Sequence, residues 1–222
     1  MKNTSLNVTQ ARADLLAAII LHVPFDGWSD PAFATAVADC AMDPALARVI
    51  CPRGAVDLAV DYHRAGDRAM AERLAETDLA AMRYRDRVAT AVRFRLEAVD
   101  PELVRRGAAV FALPAHAATG ASLVWGTADA IWQALGDTSA DYNWYTKRAT
   151  LAGVYSATVL YWLGDVSAGY ADTWAFLDRR IEGILGFEKV KSRALKIPGV
   201  RRLLDGVRAP DATTDMPGRV MR

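Results

Sequence analysis

The chain has 222 residues, of which 52% are hydrophobic and 24% are charged, so it has a globular composition and enough length to bury a core. Its net charge of +1 gives no global reason to expect nucleic-acid binding. Two cysteines, Cys40 and Cys51, are too few for a disulfide framework and favour a reducing cytoplasm.

The first predicted element is a helix over residues 8–23. Its apolar stretch follows Asp14 and has no small-residue cleavage site after it, which favours a cytoplasmic helix over a signal peptide. No run in the chain approaches the roughly 20 consecutive apolar residues that cross a bilayer. We therefore expect a cytoplasmic protein.

Helix signals continue along the chain, and strand signals are nearly absent. Asp30, Asp43 and Asp100 each precede a proline, which predicts three helix starts with an aspartate N-cap and proline at the first helical position. Periodicity predicts further helices and a polar helical stretch, 67–99, that divides near Ala80. The predicted helices cover 8–23, 31–40, 44–50, 53–64, 101–112, 115–135, 142–163 and 170–185. The predicted fold class is all-α.

Aromatic residues concentrate in the last predicted helices. Five of the six tryptophans lie between Trp125 and Trp174. From Ala149 to Leu163 apolar residues occupy every helical face, which predicts a helix buried on all sides. Such a concentration indicates a protein that holds an apolar ligand.

The composition changes after residue 186. Residues 187–208 contain seven cations and two acids, a local net charge of +5, on two amphipathic stretches that Pro198 and Gly199 separate. The residues from Ala209 onward are typical of a disordered tail. The chain therefore divides into an N-terminal module (1–66), a helical domain (67–186), a basic amphipathic segment (187–208) and a tail (209–222).

The N-terminal module has the helix lengths and spacing of a helix-turn-helix domain, as in the TetR family of repressors. Residues 1–66 carry five cations and seven acids, a net charge of −2 that does not supply phosphate neutralisation. In the segment at the recognition-helix position, 43–51, Arg48 is the only plausible base-reading side chain. A packing domain is therefore preferred to a DNA reader.

Catalytic and metal-binding patterns are weak. The histidines His22, His63 and His116 form no pair that would place two ligands on one helical face. The spacing of Asp165, Asp172 and Asp178 is explained by capping and solvation. We expect no catalytic residues, no metal site and no cofactor.

A long pattern in the tryptophan-rich region resembles a known family. It comprises Gly136–Asp137, Asn143–Arg148, Leu151–Tyr155, Asp165, Ser167, Asp172–Trp174 and Phe176–Leu177, with weaker similarity back to Arg93–Leu96, Leu113–Pro114 and Asp129–Trp132. The pattern is similar to the lipid-binding accessory family of ubiquinone biosynthesis, the ninth coenzyme Q protein of eukaryotes and its alphaproteobacterial relatives. This resemblance implies a TetR-like fold with an N-terminal helix-turn-helix-type module and a C-terminal helical bundle.

The resemblance also implies partners. Its members bind isoprenoid quinone intermediates and present them to the di-iron hydroxylase that acts on demethoxyubiquinone. The family's partner-facing patch corresponds here to Asp141, Trp144, Tyr145 and Arg148. Exposed aromatic and arginine residues are frequent interface anchors, so we expect this patch on the surface. TetR-like folds usually pair through their last two helices, which implies a homodimer.

Two further residue sets complete the prediction. Candidates for an elongated lipid pocket are apolar residues of the last helices: Leu113, Leu123, Trp125, Ile131, Leu151, Tyr155 and Val159. Candidates for contact with an anionic membrane surface lie in the basic segment: Phe187, Val190, Lys191, Ile197, Arg201, Leu203 and Leu204. These sets predict peripheral association with the inner face of the cell membrane.

Three functions compete on these observations. The first is a non-catalytic lipid-binding accessory protein of ubiquinone biosynthesis that needs no nucleic acid. The alternative is a TetR-type regulator in which the same pocket senses an effector. An enzyme acting on quinone intermediates is least favoured, because no acid, base or metal set converges in the sequence.

Overall fold

The computed structural model describes residues 7–194 and 208–210, and the regular elements in this part of the chain are helices. They are α1 (Val8–Ile20), α2 (Val23–Asp26), α3 (Asp30–Asp39), α4 (Pro44–Ile50), α5 (Ala55–Ala75), α6 (Tyr84–Glu97), α7 (Pro101–Phe111), α8 (Ala117–Ala134), α9 (Tyr142–Trp162), a short 3-10 helix (Ala168–Tyr170) and α10 (Ala171–Ala194). The predicted all-α class is confirmed.

The chain forms two compact units. Unit 1 comprises the residues up to Gly66 together with Val99–Gly120, and unit 2 comprises Asp67–Ala98 together with the residues from Ala121 onward. Residues 99–120, which the sequence division placed with 67–186, thus pack with the N-terminal module. The chain passes between the units three times: inside α5, inside α8, and at residues 98–99 between α6 and α7.

Unit 1 is built on a core of small and branched apolar side chains from α1, α3, α4, α5 and α7. Leu15 and Ile19 of α1 are completely buried. Trp28 closes the core, because it is buried and its Nε1–H donates to the carbonyl oxygen of Leu103 over 3.2 Å. That bond ties the N-terminal helices to α7, which explains why residues 99–120 belong to this unit.

Two of the three predicted aspartate N-caps are confirmed. Asp43 accepts a hydrogen bond from the N–H of Leu46, and Asp100 accepts from Glu102 and Leu103, so both are N-caps as predicted. The prediction for Asp30 is wrong by one position. Ser29 is the N-cap of α3 and accepts from the N–H of Ala32, so Asp30 is the first residue of the helix.

Three helix limits also differ from prediction. The first predicted helix ends early, because the chain turns at Leu21 and His22 before the proline-containing α2. Gly66 does not break α5, which continues to Ala75; the helix is amphipathic enough to absorb a glycine costing about 1 kcal/mol. Likewise α10 runs past the predicted limit at 185 to Ala194.

In unit 2, α9 packs against α10, and α10 packs against α6. The core draws on one face of each helix, including Val92 of α6, Ile131 of α8, Leu151 of α9 and Leu177 of α10. The prediction that α9 is buried on all sides is wrong for the single chain. Leu160 is 70% exposed, so α9 keeps an apolar face in solvent.

Candidate functional site

The corner where α8 meets α9 is held by a buried ion-pair cluster. Arg148 donates from Nε to Asp129 over 2.6 Å, from Nη1 to Asp137 over 3.2 Å, and from Nη1 to the carbonyl oxygen of Trp144 over 3.1 Å. Lys147 adds a contact of 2.7 Å to Asp137. Acceptors on two carboxylates and one carbonyl group thus engage most of the N–H donors of the Arg148 guanidinium, as burial of an arginine requires.

Asp137 is the hub of this cluster. Burial opposes its ionisation, but hydrogen bonds from Lys147, Ser139 and Arg148 hold the pKa of its carboxyl below the ordinary value. Asp137 therefore stays charged and fixes the loop between α8 and α9. The sequence predicted no such role for it, although an acid following a glycine at a helix end indicates a turn.

The aromatic members of the predicted partner patch lie on this cluster. The Trp144 ring is 4.0 Å from the Arg148 guanidinium carbon, and its centroid is 4.8 Å from that of Tyr145 in an edge-on contact. Trp125 adds a tilted contact at 6.0 Å. The expectation that the whole patch is exposed is wrong, because Trp144 is 8% exposed and Arg148 is 2% exposed. Asp141 is exposed and Tyr145 is half-buried.

A second buried ion pair lies deeper in unit 2, and the sequence analysis missed it. Arg95 of α6 donates to Asp67 of α5 over 2.6 Å, and the Thr127 hydroxyl donates to the same carboxylate over 2.8 Å. The Arg95 guanidinium carbon is 5.9 Å from the Tyr155 ring, and burial raises the pKa of Tyr155. The available signal was Arg95 itself, which shares the apolar face of α6 with Val92 and Leu96.

The seven candidates for a lipid pocket do not form one lining. Leu123, Ile131, Leu151 and Tyr155 are buried in side-chain packing of unit 2, and Trp125 and Val159 are half-buried. Leu113 belongs to unit 1 and is 53% exposed. The buried four are members of the hydrophobic core, so their presence alone does not make a cavity.

An open groove of about 490 Å³ lies between α9 and α10, lined by Thr150, Gly153, Val154, Ala157, Arg179, Arg180 and Gly183. A Cβ atom placed on Gly153 or Gly183 would meet no atom within 4 Å, so the groove is open at both glycines. Near one end, Tyr161 stacks on Phe176 at 4.5 Å beside the exposed Leu160. The groove thus combines an apolar floor with two arginines.

The membrane candidates fall largely outside the described residues. Phe187, Val190 and Lys191 lie within α10, and their side chains are outside the described part of the chain. Ile197, Arg201, Leu203 and Leu204 lie wholly outside it. Within the described ranges, no helix combines the length and apolar character that a membrane span needs.

Helix α4 occupies the recognition-helix position, and the side chain of its one arginine is held by contacts within unit 1. Arg48 pairs with Asp30 over 2.8 Å and lies 5.0 Å from the centre of the Phe33 ring. Gly54, which follows α4 with φ of +57°, passes so close that a Cβ there would be 2.7 Å from Nη1 of Arg48. This packing holds the guanidinium against its own unit.

Comparison with known proteins finds a family domain in unit 2 and relatives that match most of the chain. Residues 117–188, from α8 into α10, match the COQ9 family model. The chain is 32% identical over 192 residues to the ubiquinone biosynthesis protein COQ9, mitochondrial, of Drosophila melanogaster, covering 84% of this chain and 59% of that protein. It is 31% identical to the Rattus norvegicus COQ9, covering 78% of this chain and 58% of that protein.

Among solved structures, the TetR transcriptional regulator from Nitrosomonas europaea is similar to this chain with a TM-score of 0.63 and 17% identity, covering 78% of this chain and 97% of that one. This likeness confirms the TetR-like fold. The chain spans less than two thirds of the length of the COQ9 proteins named above. Residues 117–188 therefore carry a COQ9 family domain, and the chain is similar to COQ9 proteins over most of its length.

Proposed function

We propose that this protein is a non-catalytic accessory protein of ubiquinone biosynthesis, which binds isoprenoid quinone intermediates and presents them to the di-iron demethoxyubiquinone hydroxylase. The observation that carries the proposal is the COQ9 match over residues 117–188. That stretch contains the α8–α9 corner with Trp144 and the groove between α9 and α10. It thus joins the partner candidates and an apolar surface in one segment.

Lipid binding draws support from the apolar character of these helices. A polyprenyl tail that enters unit 2 replaces protein contacts at Leu123, Ile131, Leu151 and Tyr155, or lies along the groove floored by Gly153 and Ala157. Either route removes the tail from water, which is worth about 25 cal/mol per Å² of apolar area. The groove needs no prior displacement of core side chains.

The hydroxylase binds, in this proposal, at the α8–α9 corner. Asp141 and Tyr145 offer an exposed carboxylate and a half-buried aromatic ring. The Tyr145 ring packs edge-on against Trp144, and Trp144 packs against Arg148, which Asp129 holds in an ion pair. A rigid aromatic surface supported by a buried network suits a specific interface.

The basic segment, residues 187–208, associates with an anionic membrane surface. Its net charge of +5 beside apolar residues is favourable there, at about 1 kcal/mol for each cation near the surface. The protein is then cytoplasmic and peripherally bound to the inner face of the cell membrane. Lipid would pass from the bilayer to unit 2 and from there to the hydroxylase.

A homodimer through α9 and α10 would cover this groove, so it is compatible with the route in which the lipid enters the core of unit 2; if the lipid lies in the groove, the dimer interface must differ. The exposed side of α9 carries Gly153, Ala157 and Leu160, and small residues let helices approach closely. A Cβ atom on Gly153 meets no atom within 4 Å, so Gly153→Trp places its side chain in the open groove. We expect the variant to remain folded and to be monomeric by light scattering, whereas a dimer of unchanged stability would remove this face from the interface.

Lipid extraction tests the central proposal. Protein purified without detergent should release an isoprenoid quinone or its precursor into organic solvent, detected by mass spectrometry. A sample prepared from cells that lack the polyprenyl chain is the control and should release none. If neither sample contains a prenylated lipid, and added quinone does not bind, the lipid-binding proposal fails.

The structural similarity to the TetR regulator suggests a second candidate function, that of a ligand-responsive regulator that binds DNA through unit 1. The ion pair of Arg48 with Asp30 and the net charge of −2 in residues 1–66 weigh against it. Sequence-specific binding to duplex DNA would reverse this ranking.

A further inference from the structure

The turn between α9 and α10 carries most of the exposed apolar side chains of unit 2. Leu160 and Tyr161, near the end of α9, are exposed, and Val166 is 100% exposed. Among the side chains of unit 2 that the structure describes, Tyr84 is the one other large apolar residue that is exposed. We call Leu160, Tyr161 and Val166, together with the half-buried Phe176 on which Tyr161 stacks, the apolar turn surface.

Hydrogen bonds to one carboxylate fix the backbone of this turn. Asp165 accepts from the backbone N–H of Ser167 over 2.7 Å. It also accepts from the backbone N–H and the hydroxyl of Thr173, over 2.9 and 2.6 Å. The turn is therefore tied to the first residues of α10, and it holds the Val166 side chain in solvent instead of against unit 2.

Two successive residues of the turn have a left-handed backbone. Gly169 has φ of +62° and Tyr170 has φ of +58°, a region that an aromatic residue rarely adopts. The Tyr170 ring lies between two indoles, with its centroid 5.8 Å from that of Trp162 and 6.5 Å from that of Trp174. The Trp174 indole N–H donates to the carbonyl oxygen of Gly169 over 2.8 Å. Strained backbone that its surroundings maintain is concentrated at functional sites.

The side chains change in chemistry with distance from the turn. Val166 lies in the turn itself, and Phe176 lies in the second turn of α10, where it stacks on Tyr161 at 4.5 Å. Arg180 is one helical turn further along, about 6 Å at 1.5 Å per residue, and its guanidinium carbon is 5.0 Å from the Phe176 ring centre. The order is thus aliphatic, aromatic and cationic. A bilayer presents matching layers in the same order, namely acyl chains, interface and phosphates.

A lipid bilayer fits this surface better than a folded protein partner. Fluid acyl chains receive a fully exposed aliphatic side chain without a preformed pocket, which a protein partner would have to supply. Lipid phosphates complement Arg180, which has no carboxylate partner within the described residues. Asp172, in the first turn of α10, is exposed and gives this end of unit 2 no net attraction to anionic lipid. Zwitterionic lipid is therefore sufficient.

We propose that the apolar turn surface inserts into the bilayer, with Val166 among the acyl chains, the Tyr161 and Phe176 rings at the interface and Arg180 at the phosphates. This contact is separate from that of the basic segment, because it depends on apolar burial and not on net charge. It rests on the proposed function only in placing the protein at a bilayer. The groove between α9 and α10 has Tyr161 and Phe176 near one end, so insertion brings that end to the lipid.

A matched pair of substitutions in the full chain tests the insertion. Val166→Asp and Val49→Asp make the same change at two exposed valines, of which Val49 lies in unit 1. Partition onto phosphatidylcholine vesicles at high salt should fall about tenfold for Val166→Asp, the factor expected when one aliphatic side chain is no longer buried. Val49→Asp should partition like the wild type. A wild-type chain that does not bind, or equal partition by both variants, overturns the proposal.

A label at the same positions gives a readout that tolerates no change in folding. Val166→Cys, in a chain that also carries Cys40→Ser and Cys51→Ala, is labelled with nitrobenzoxadiazole, and Val49→Cys in the same background is the control. Vesicles should shift the emission of the Val166 label to shorter wavelength, and phosphatidylcholine brominated on its acyl chains should quench it. The Val49 label should remain unchanged. An unshifted Val166 label on vesicle-bound protein overturns the proposal.

Salt and lipid charge separate this contact from the one proposed for the basic segment. The Val166 label should respond to phosphatidylcholine vesicles at high salt, where binding through the basic segment is screened. If binding needs phosphatidylglycerol and low salt while the Val166 label does not respond, the turn is overturned and the basic segment stands. If the label responds and phosphatidylglycerol adds no affinity at low salt, the basic-segment proposal fails and the turn stands. Absence of binding to either vesicle overturns both.

Discussion

Arg148 donates from Nε to Oδ1 of Asp129 over 2.6 Å, and neither side chain is more than 6% exposed. Removing one partner of such a pair leaves an uncompensated buried charge, whereas removing both together is far less costly. Asp137 shares the same guanidinium, so a single loss at position 148 affects two carboxylates. The position therefore has a structural role whatever its role in recognition.

We expect Arg148→Met to lower the free energy of unfolding by about 3–5 kcal/mol, since it leaves Asp129 and Asp137 buried beside a neutral side chain. Urea denaturation monitored by tryptophan fluorescence measures the change. Arg179→Met is the control, because Arg179 is exposed and its replacement should change the free energy by less than about 0.5 kcal/mol. Equal effects of the two substitutions would contradict the buried-pair assignment.

Substitutions at Trp144 and Tyr145 distinguish a packing role from a role in partner binding. Trp144→Ala should cost about 3–5 kcal/mol of unfolding free energy, because it empties the space between Arg148 and Trp125. Tyr145→Ala should cost less, since the ring is only half-buried, but it should weaken binding to the hydroxylase in a pull-down or calorimetric titration. A Tyr145 variant with undiminished affinity would move the interface away from this corner.

Asp165 makes stability depend on pH in the acid range. Hydrogen bonds from Ser167 and Thr173 lower the pKa of its carboxyl to about 2. The unfolded chain has the ordinary value of about 3.9, so the contribution is complete above that pH and is lost as the pH falls towards 2. Thermal unfolding between these limits should show a shallower pH dependence for Asp165→Asn than for the wild type. Identical profiles would exclude this carboxyl as a source of acid instability.

DNA binding offers a test of the regulator hypothesis. Fluorescence anisotropy with random and genomic duplexes should show no sequence preference, because Arg48 is the only plausible base-reading side chain of α4 and residues 1–66 carry a net charge of −2. Asp30→Asn removes the ion pair of Arg48 and one negative charge from residues 1–66, whose net charge rises from −2 to −1, so any weak non-specific binding should rise at low salt. A duplex that binds the wild-type chain selectively at physiological salt would favour the regulator.

Local chemistry explains which parts of the fold the sequence could predict. Asp43 before Pro44 and Asp100 before Pro101 define helix starts within a few residues, so those positions were predicted correctly. The predicted helix end at residue 64 was wrong, because the following Gly66 is a weak stop when the flanking residues continue an amphipathic face. The division into units was not accessible, since it depends on the long-range bond between Trp28 and Leu103.

The site was less predictable than the fold. The resemblance identified the segment around Trp144, but residue type could not say which of its aromatic and cationic side chains are buried. Arg148 is hidden because Asp129, nineteen positions earlier, lies beside it in space. The Arg95 pair with Asp67 is likewise separated by 28 positions, and no periodicity within one helix reveals such a pairing. The antiparallel bridge between Asp141 and Arg208 spans a longer separation still.

The placement of the unit boundaries inside α5 and α8 has a consequence for dissecting the protein. Proteases cut exposed irregular stretches in preference to hydrogen-bonded helix, so the two boundaries inside α5 and α8 are not natural cleavage points, whereas the third, at residues 98–99, lies between helices. The loops at 76–83 and 135–141 are better substrates, and both lie within unit 2. Separation of the units needs cuts at all three crossings, two of which are helical, so a limited digest would open unit 2 first. Fragments cut at Gly66 would begin in the middle of a helix.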